Sequence, residues 1–203
     1  MASVELLGKQ ITPGKIVCIG RNYVEHIAEL NNEVPENMVF FNKPASSIGN
    51  TLIAFQNEPI HFEAELCFIF QQAKLASVGF GLDLTKRNLQ SQLKSKGLPW
   101  ERAKAFQNSV VFSPFVPLEA PLEQLSFSLH IDQQLQQQGN IELMINKPTA
   151  IVKELEQFSP LQDGDILMTG TPKGVGQIIA GQQFTGRILL NDRVIIEQHW
   201  QAI

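Results

Sequence analysis

His61-Phe62-Glu63-Ala64-Glu65-Leu66-Cys67-Phe68-Ile69-Phe70 reads as a β-strand with an unusual face. In a strand, side chains alternate between faces, so residues two apart share a side. His61, Glu63 and Glu65 therefore point the same way, together with Cys67 and Ile69, which read as core. Two carboxylates at the entry of a buried strand are costly unless positive charge stands between them. A divalent cation does this well, and an all-oxygen ligand set suits Mg²⁺, Mn²⁺ or Ca²⁺ better than Zn²⁺. The plainer alternative puts both acids on the solvated end of an amphipathic strand. A third acid bears on the choice. Asp83 lies in Gly79-Phe80-Gly81-Leu82-Asp83-Leu84-Thr85, a second apolar strand able to pair with the first. Asp is disfavoured in strand interiors. It is either an extended cap for the helix that follows or a third ligand to one hard cation.

The chain around this pair of strands has 203 residues, which suits a single domain spanning 1–203. Hydrophobic residues are 43% and net charge is −4, a balance that excludes intrinsic disorder. With 16 basic against 20 acidic residues, no cationic excess points to nucleic acid. The longest purely apolar run, Leu66 to Phe70, is far from the ~18 residues of a membrane span. Met1 to Lys15 lacks the apolar core of a secretory signal, so a cytoplasmic location is expected. Cys18 and Cys67, each within an apolar run, are expected as buried thiols rather than a disulfide.

Strands are expected at 15–19, 38–42, 62–70, 78–84, 110–115, 126–131, 165–168, 183–190 and 194–200, short runs rich in Val, Ile and Phe between Gly, Pro and Asn signals. Helices are expected at 22–30, 86–96 (ending at Gly97) and 149–158 (after Pro148). Strands in blocks with a few inserted helices predict an α+β fold with much antiparallel sheet. Gln133–Gln138 reads as the turn and return strand of an exposed hairpin, with Gln as solvated filler. Gly139-Asn140 and Asn191-Asp192 suit hairpin turns.

Three further groups bear on chemistry. His26 and Glu29 stand three apart on one helical face, the spacing of an acid–base pair or of an ordinary surface pair. Their helix, bounded by polar residues, could form a lid. Arg87, at the start of the helix at 86–96, suits carboxylate recognition, as does a helix N-terminus. Thr169-Gly-Thr-Pro-Lys-Gly-Val-Gly176 is neither a Walker loop nor a dinucleotide fingerprint, but its amides and hydroxyls suit a carboxylate or carbonyl. Lys104 alone reads as a surface residue.

Taken in order, these segments resemble the fumarylacetoacetate hydrolase family, in its compact acylpyruvase-like branch. The resemblance runs through Gly20-Arg-Asn-Tyr23 with His26 and Glu29, Phe41-Asn-Lys-Pro44, Glu63-x-Glu65, Leu82-Asp-Leu-Thr85 with Arg87 and Gln90, Lys96-Gly-Leu-Pro-Trp100 with Lys104, and Thr169–Gly176. It implies a β-rich mixed roll with a few helices and an N-terminal lid helix, assembled as a homodimer. It implies that Glu63, Glu65 and Asp83 hold Mg²⁺ or Mn²⁺, with Ca²⁺ as a substitute. Lys104 would stabilise negative charge beside the metal, and His26 with Glu29 would activate water. Arg87, Gln90 and Thr171 would bind the substrate carboxylate, with Arg21 also on the substrate. The implied activity is hydrolysis of a C–C bond in an acylpyruvate-type 2-oxo acid. The alternatives are a hydratase, an oxaloacetate decarboxylase or a tautomerase on the same metal site, or a non-catalytic metal-dependent metabolite binder. No nucleic acid or membrane partner is implied. Three departures stand out. Asn88 and Gln107 replace acids common at those places, and the connection 71–77 is short.

Overall fold

The computed structural model describes residues 2–29 and 33–203. Its elements in chain order are β1 (Val4–Leu6), β2 (Lys9–Ile11), β3 (Ile16–Gly20), α1 (Val24–Glu29), β4 (Val39–Lys43), β5 (Ile60–Gln71), β6 (Lys74–Lys86), α2 (Arg87–Ser95), α3 (Glu101–Lys104), β7 (Val110–Phe112), β8 (Val116–Pro117), β9 (Leu125–Ile131), β10 (Gln134–Asn140), α4 (Pro148–Leu155), β11 (Ile166–Met168), β12 (Gly176–Gln177), β13 (Gln183–Leu190) and β14 (Arg193–Gln201). The expected strand-rich α+β class is what the chain adopts. The anticipated helix at 22–30 covers Val24–Glu29, and Leu30 lies outside the described residues. No helix among the described residues is long and apolar enough to cross a membrane.

The strands form three sheets. The largest has the order β4-β3-β11-β5-β6-β7, with β12 added to β5 and β8 to β6. A second has the order β10-β9-β13-β14, and β1 with β2 makes a small third one. The two larger sheets enclose the main core. Phe62, Ala64, Leu66 and Phe68 of β5 and Phe80, Leu82 and Leu84 of β6 meet Phe127, Leu129, Phe184, Ile188 and Trp200. The odd-numbered residues of β5 face the other way, where Cys67 and Ile69 pack with Ile16, Cys18, Ile166 and Met168. A strand covered on both faces reads as an almost unbroken apolar run, and in β5 the buried exceptions are the two glutamates. Cys18 and Cys67 are free and buried. Each is paired across from Met168, on opposite sides of β11. Two strand spacings, about 9–10 Å, exceed disulfide reach.

The long β5–β6 hairpin turns at Gln72-Ala73, both left-handed (φ 52° and 57°). This mirror-image turn matches the strand twist, so the short connection closes tightly. Asn191-Asp192 turns likewise (φ 47° and 63°), as expected. Gly139-Asn140 does not. These two residues end β10, paired with Phe127 and Ser126, and the turn sits at Asp132-Gln133 (φ 49° and 69°). Asp tolerates this conformation, and its carboxylate also accepts the Gln183 N–H at 2.9 Å. The helix expected at 86–96 runs from Arg87 to Ser95, with Lys86 in β6 and Lys96 as its C-cap. Gly97 (φ 62°) follows, with the Gly97 and Leu98 amides bonded back to Lys94 O and Leu93 O.

Candidate active site

The β5–β6 register sets Glu63 directly opposite Asp83, and Glu65 opposite Gly81. Asp83 is therefore a strand residue rather than a helix cap. The three acids are 6%, 1% and 0% exposed, and one oxygen from each lies within 4.8 Å of the others. That burial overturns the solvated-end alternative. His61, on the same face one step earlier, is half-buried and outside this group.

Three cations meet the acids. Lys104 Nζ donates to Glu63 Oε2 (2.8 Å), Asp83 Oδ2 (2.7 Å) and Thr85 Oγ1 (2.6 Å), so its three protons are committed. Arg87 donates to Glu63 Oε1, and through Nη1 to Gln90 Oε1 at 2.8 Å. Lys43, fully buried, was only part of a motif in the sequence. Here its Nζ stands 2.8 Å from Asp83 Oδ1 and bonds to Ser109 O (2.9 Å) and Lys104 O. The contact with Asp83 is an ion pair without hydrogen-bond alignment, which leaves Oδ1 without a hydrogen bond. Lys104 reaches the site on α3, four residues long and too short to show a helical period in sequence.

These cations do not serve the acids equally. Burial raises the Glu63 carboxyl, but Lys104, Arg87 and His26 outweigh it and hold Glu63 well below the usual carboxylate range. Burial also raises Glu65, and Asp83 and Glu63 add to the rise. The Gly170 N–H (2.7 Å) and Lys104 oppose it too weakly, so Glu65 stays well above its ordinary value. An all-oxygen triad with one undercompensated carboxylate fits a hard divalent cation. Glu63, Glu65 and Asp83 could hold such an ion through one carboxylate oxygen each.

His26 is buried, and its Nδ1 lies 3.3 Å from Glu29 Oε2. Burial lowers the imidazole pKa, against the opposing pull of Glu63 and Glu29. Glu29 Oε1 accepts the Gly174 N–H (2.9 Å), and Lys173 Nζ reaches Glu25 Oε1 (3.1 Å). Helix α1 is thus tied to the Thr169–Gly176 turn. That turn is anchored from behind by Asn22, whose Nδ2 donates to Thr169 O (2.9 Å) and Asn146 O (3.0 Å).

Arg21, His26, Glu63, Glu65, Arg87, Gln90, Lys104 and Thr171 line one cleft of about 40 Å³, with Lys94 and Trp100 also in its wall. Glu29 stands just behind His26. The structure so assembles every predicted site residue. Roomier surface clefts of about 430 Å³ lie elsewhere and contain none of the three acids. Arg21 adopts a left-handed backbone (φ 57°), the kind of strain that collects at sites. The N-terminus of α2 is not an open anion site, because Glu58 Oε1 already accepts the Asn88 N–H at 3.0 Å. Lys43 and Lys94 were missed in the sequence, since a lone Lys carries no signal until burial is known.

The chain belongs to the fumarylacetoacetate hydrolase family: the family's C-terminal domain profile matches residues 15–202. It is 36% identical to the mitochondrial oxaloacetate tautomerase of Schizosaccharomyces pombe over 87% of this chain and 89% of that one. It is 34% identical to the oxaloacetate tautomerase of Escherichia coli over 84% and 86%. Among solved structures, the fumarylpyruvate hydrolase of Pseudomonas aeruginosa in complex with Mn²⁺ and pyruvate superposes with a TM-score of 0.89. That match is at 27% identity and covers all of this chain and 97% of the other. The chain is an enzyme of this family, with relatives named for 2-oxo acids.

Proposed function

We propose that this enzyme interconverts the keto and enol forms of a short 2-oxo dicarboxylate such as oxaloacetate, with a divalent cation on Glu63, Glu65 and Asp83. The carrying observation is the charge of the cleft wall. Arg21, Arg87 and Lys94 all line it, which suits a substrate with a carboxylate at each end. Burial pushes the Lys94 ammonium below its ordinary value, and Arg21 and Arg87 push it further, against the pull of Glu63. The named activity of the two tautomerase relatives supports the same reading.

A cation bound by the three acids would supply a Lewis acid for the 2-oxo and adjoining carboxylate oxygens. The protein's own groups would do the rest. Glu29 holds His26 through Nδ1, leaving Nε2 to take the proton from C3. The C–H electron pair moves into the C2–C3 bond, the C2–O π pair moves onto the 2-oxo oxygen, and the proton taken up by His26 is returned to that oxygen, which completes the enol. Lys104 can donate to that oxygen only by giving up one of its three present acceptors. Thr171 and Gln90 orient the substrate, and closure of α1 on the Thr169–Gly176 turn excludes water.

Hydrolysis of an acylpyruvate is the second reading, with His26 activating water instead. The Pseudomonas relative's name favours it, whereas the tight cleft favours the shorter substrate. Enol–keto interconversion of oxaloacetate should be followed by ultraviolet absorbance, beside pyruvate release from acetylpyruvate and fumarylpyruvate. Chelation should abolish turnover and Mg²⁺ or Mn²⁺ restore it. Enolisation no faster than buffer at any metal load would overturn the proposal. Lys94→Gln is expected to raise the KM for oxaloacetate at least tenfold, since charge-assisted hydrogen bonds contribute about 1.5–3 kcal/mol. It should change the KM for acetylpyruvate, which is neutral at its far end, by less than about threefold. Because His26 must be neutral to accept a proton, kcat/KM should fall on the acid side with a midpoint below 6.5. The corresponding limb should be absent in His26→Ala.

A further inference from the structure

The run Gln133–Gln138 is not solvated filler throughout. Strand β10 pairs with β9 through Leu135↔His130 and then Gln137↔Leu129, so Gln136 is an extra residue in a β-bulge. In a regular strand two successive side chains point to opposite faces, and a bulge re-aims them. Here both glutamines reach the same turn. Gln136 Nε2 donates to Gly174 O at 2.8 Å. Gln137, only 2% exposed, donates through Nε2 to Thr171 Oγ1 and Pro172 O, both at 2.9 Å. Its Oε1 accepts the N–H of Ala64 at 3.0 Å, and Ala64 is the residue between Glu63 and Glu65. The bulge also presses its backbone against the turn. A Cβ on Gly174 (φ 97°) would stand 2.3 Å from Gln136 O.

We infer that the Gln136–Gln137 bulge is a positioning device for the active site, a pair of positioning residues that fixes three parts of it from one strand. Gln137 holds the backbone between two carboxylates of the acid triad and aims the Thr171 hydroxyl. Gln136 holds Gly174, whose N–H holds Glu29, which holds His26. The inference rests on the proposed metal and acid–base roles, and concerns what keeps those groups in register. A single amide side chain satisfies three backbone or hydroxyl groups only where all of them are placed around it, so the second sheet reports its position directly to the site.

The test uses Gln137→Met and Gln136→Met in the full chain. Gln137→Met should weaken Mn²⁺ binding, measured by calorimetry, by about tenfold or more, as outer-shell partners of metal sites do. It should also raise the substrate KM. Gln136→Met, at an exposed position that folding tolerates, should leave Mn²⁺ affinity and KM unchanged while lowering kcat about two- to tenfold. If both variants melt at lower temperature yet keep wild-type Mn²⁺ affinity, KM and kcat, the glutamines serve only stability and the inference is overturned. If Gln137→Met fails to fold, the kcat and KM of Gln136→Met decide alone. Should oxaloacetate prove not to be a substrate, the Mn²⁺ titration still reads the Gln137 arm.

Discussion

Glu65→Gln is expected to weaken Mn²⁺ or Mg²⁺ binding by more than ~100-fold and to abolish turnover, while leaving the metal-free protein as stable as the wild type or more so. The first part follows from losing a charged ligand, a larger loss than the 10–100-fold typical of outer-shell partners. The second follows from the environment of Glu65. Burial and the neighbouring Asp83 and Glu63 raise its carboxyl well above 4.5. A carboxyl whose folded value is raised binds its proton more readily in the folded state. Its contribution to stability is therefore present below about pH 4.5 and lost as pH rises through the folded value. Metal-free wild type should lose stability across that window, and Gln at 65 should flatten the dependence. Saturating metal at 100 times Kd would return about 2.7 kcal/mol to the wild type, roughly 5–10 °C in a chain of this size. Melting curves with and without Mn²⁺ check this, and an undiminished metal-induced rise in Tm for Glu65→Gln would refute the ligand assignment.

Lys43→Met is expected to destabilise the protein by about 3 kcal/mol, the lower end of the cost of breaking a buried ion pair. Lys43 and Asp83 are both fully buried, 2.8 Å apart. Lys104 remains on the other Asp83 oxygen, which keeps the loss from being larger. Lys43 also ties Ser109 O and Lys104 O, so its removal should loosen the end of α3 that delivers Lys104. Urea unfolding measures the loss. The double variant Lys43→Met/Asp83→Asn should recover part of it, because the orphaned charge is gone. Additive losses would show that the pair is not the source of the effect.

Lys43 also changes the charge balance of the site. With all three ionised, Glu63, Glu65 and Asp83 contribute −3, and Lys43, Lys104 and Arg87 contribute +3, so their charges balance. An acidic chain can thus present Arg21 and Lys94 to an anion beside an inner group whose charges are balanced.

The strands carrying the acids were legible because period two is a local property: Glu63, Glu65, Cys67 and Ile69 share a face in any strand. The hairpin at 191–192 and the end of α2 at Gly97 were legible for the same reason, since a left-handed turn has its own residue preferences. Functions of Lys43 and Gln137 were not legible. A buried lysine and a surface lysine have the same local sequence, and a glutamine in a Gln-rich strand acquires its role only from a bulge and a facing turn. The sequence by itself determined the central runs of β5 and β6, 62–70 and 78–84, and through the order and spacing of its motifs the family. The tertiary structure alone decided that Asp83 faces Glu63, that Lys43 and Lys104 share one carboxylate, and that β10 reaches the Thr169–Gly176 turn. These contacts join residues from 20 to 40 positions apart. Alternation and turn chemistry act over a few residues, whereas such pairings depend on sheet register and burial, which exist only once the whole chain is packed.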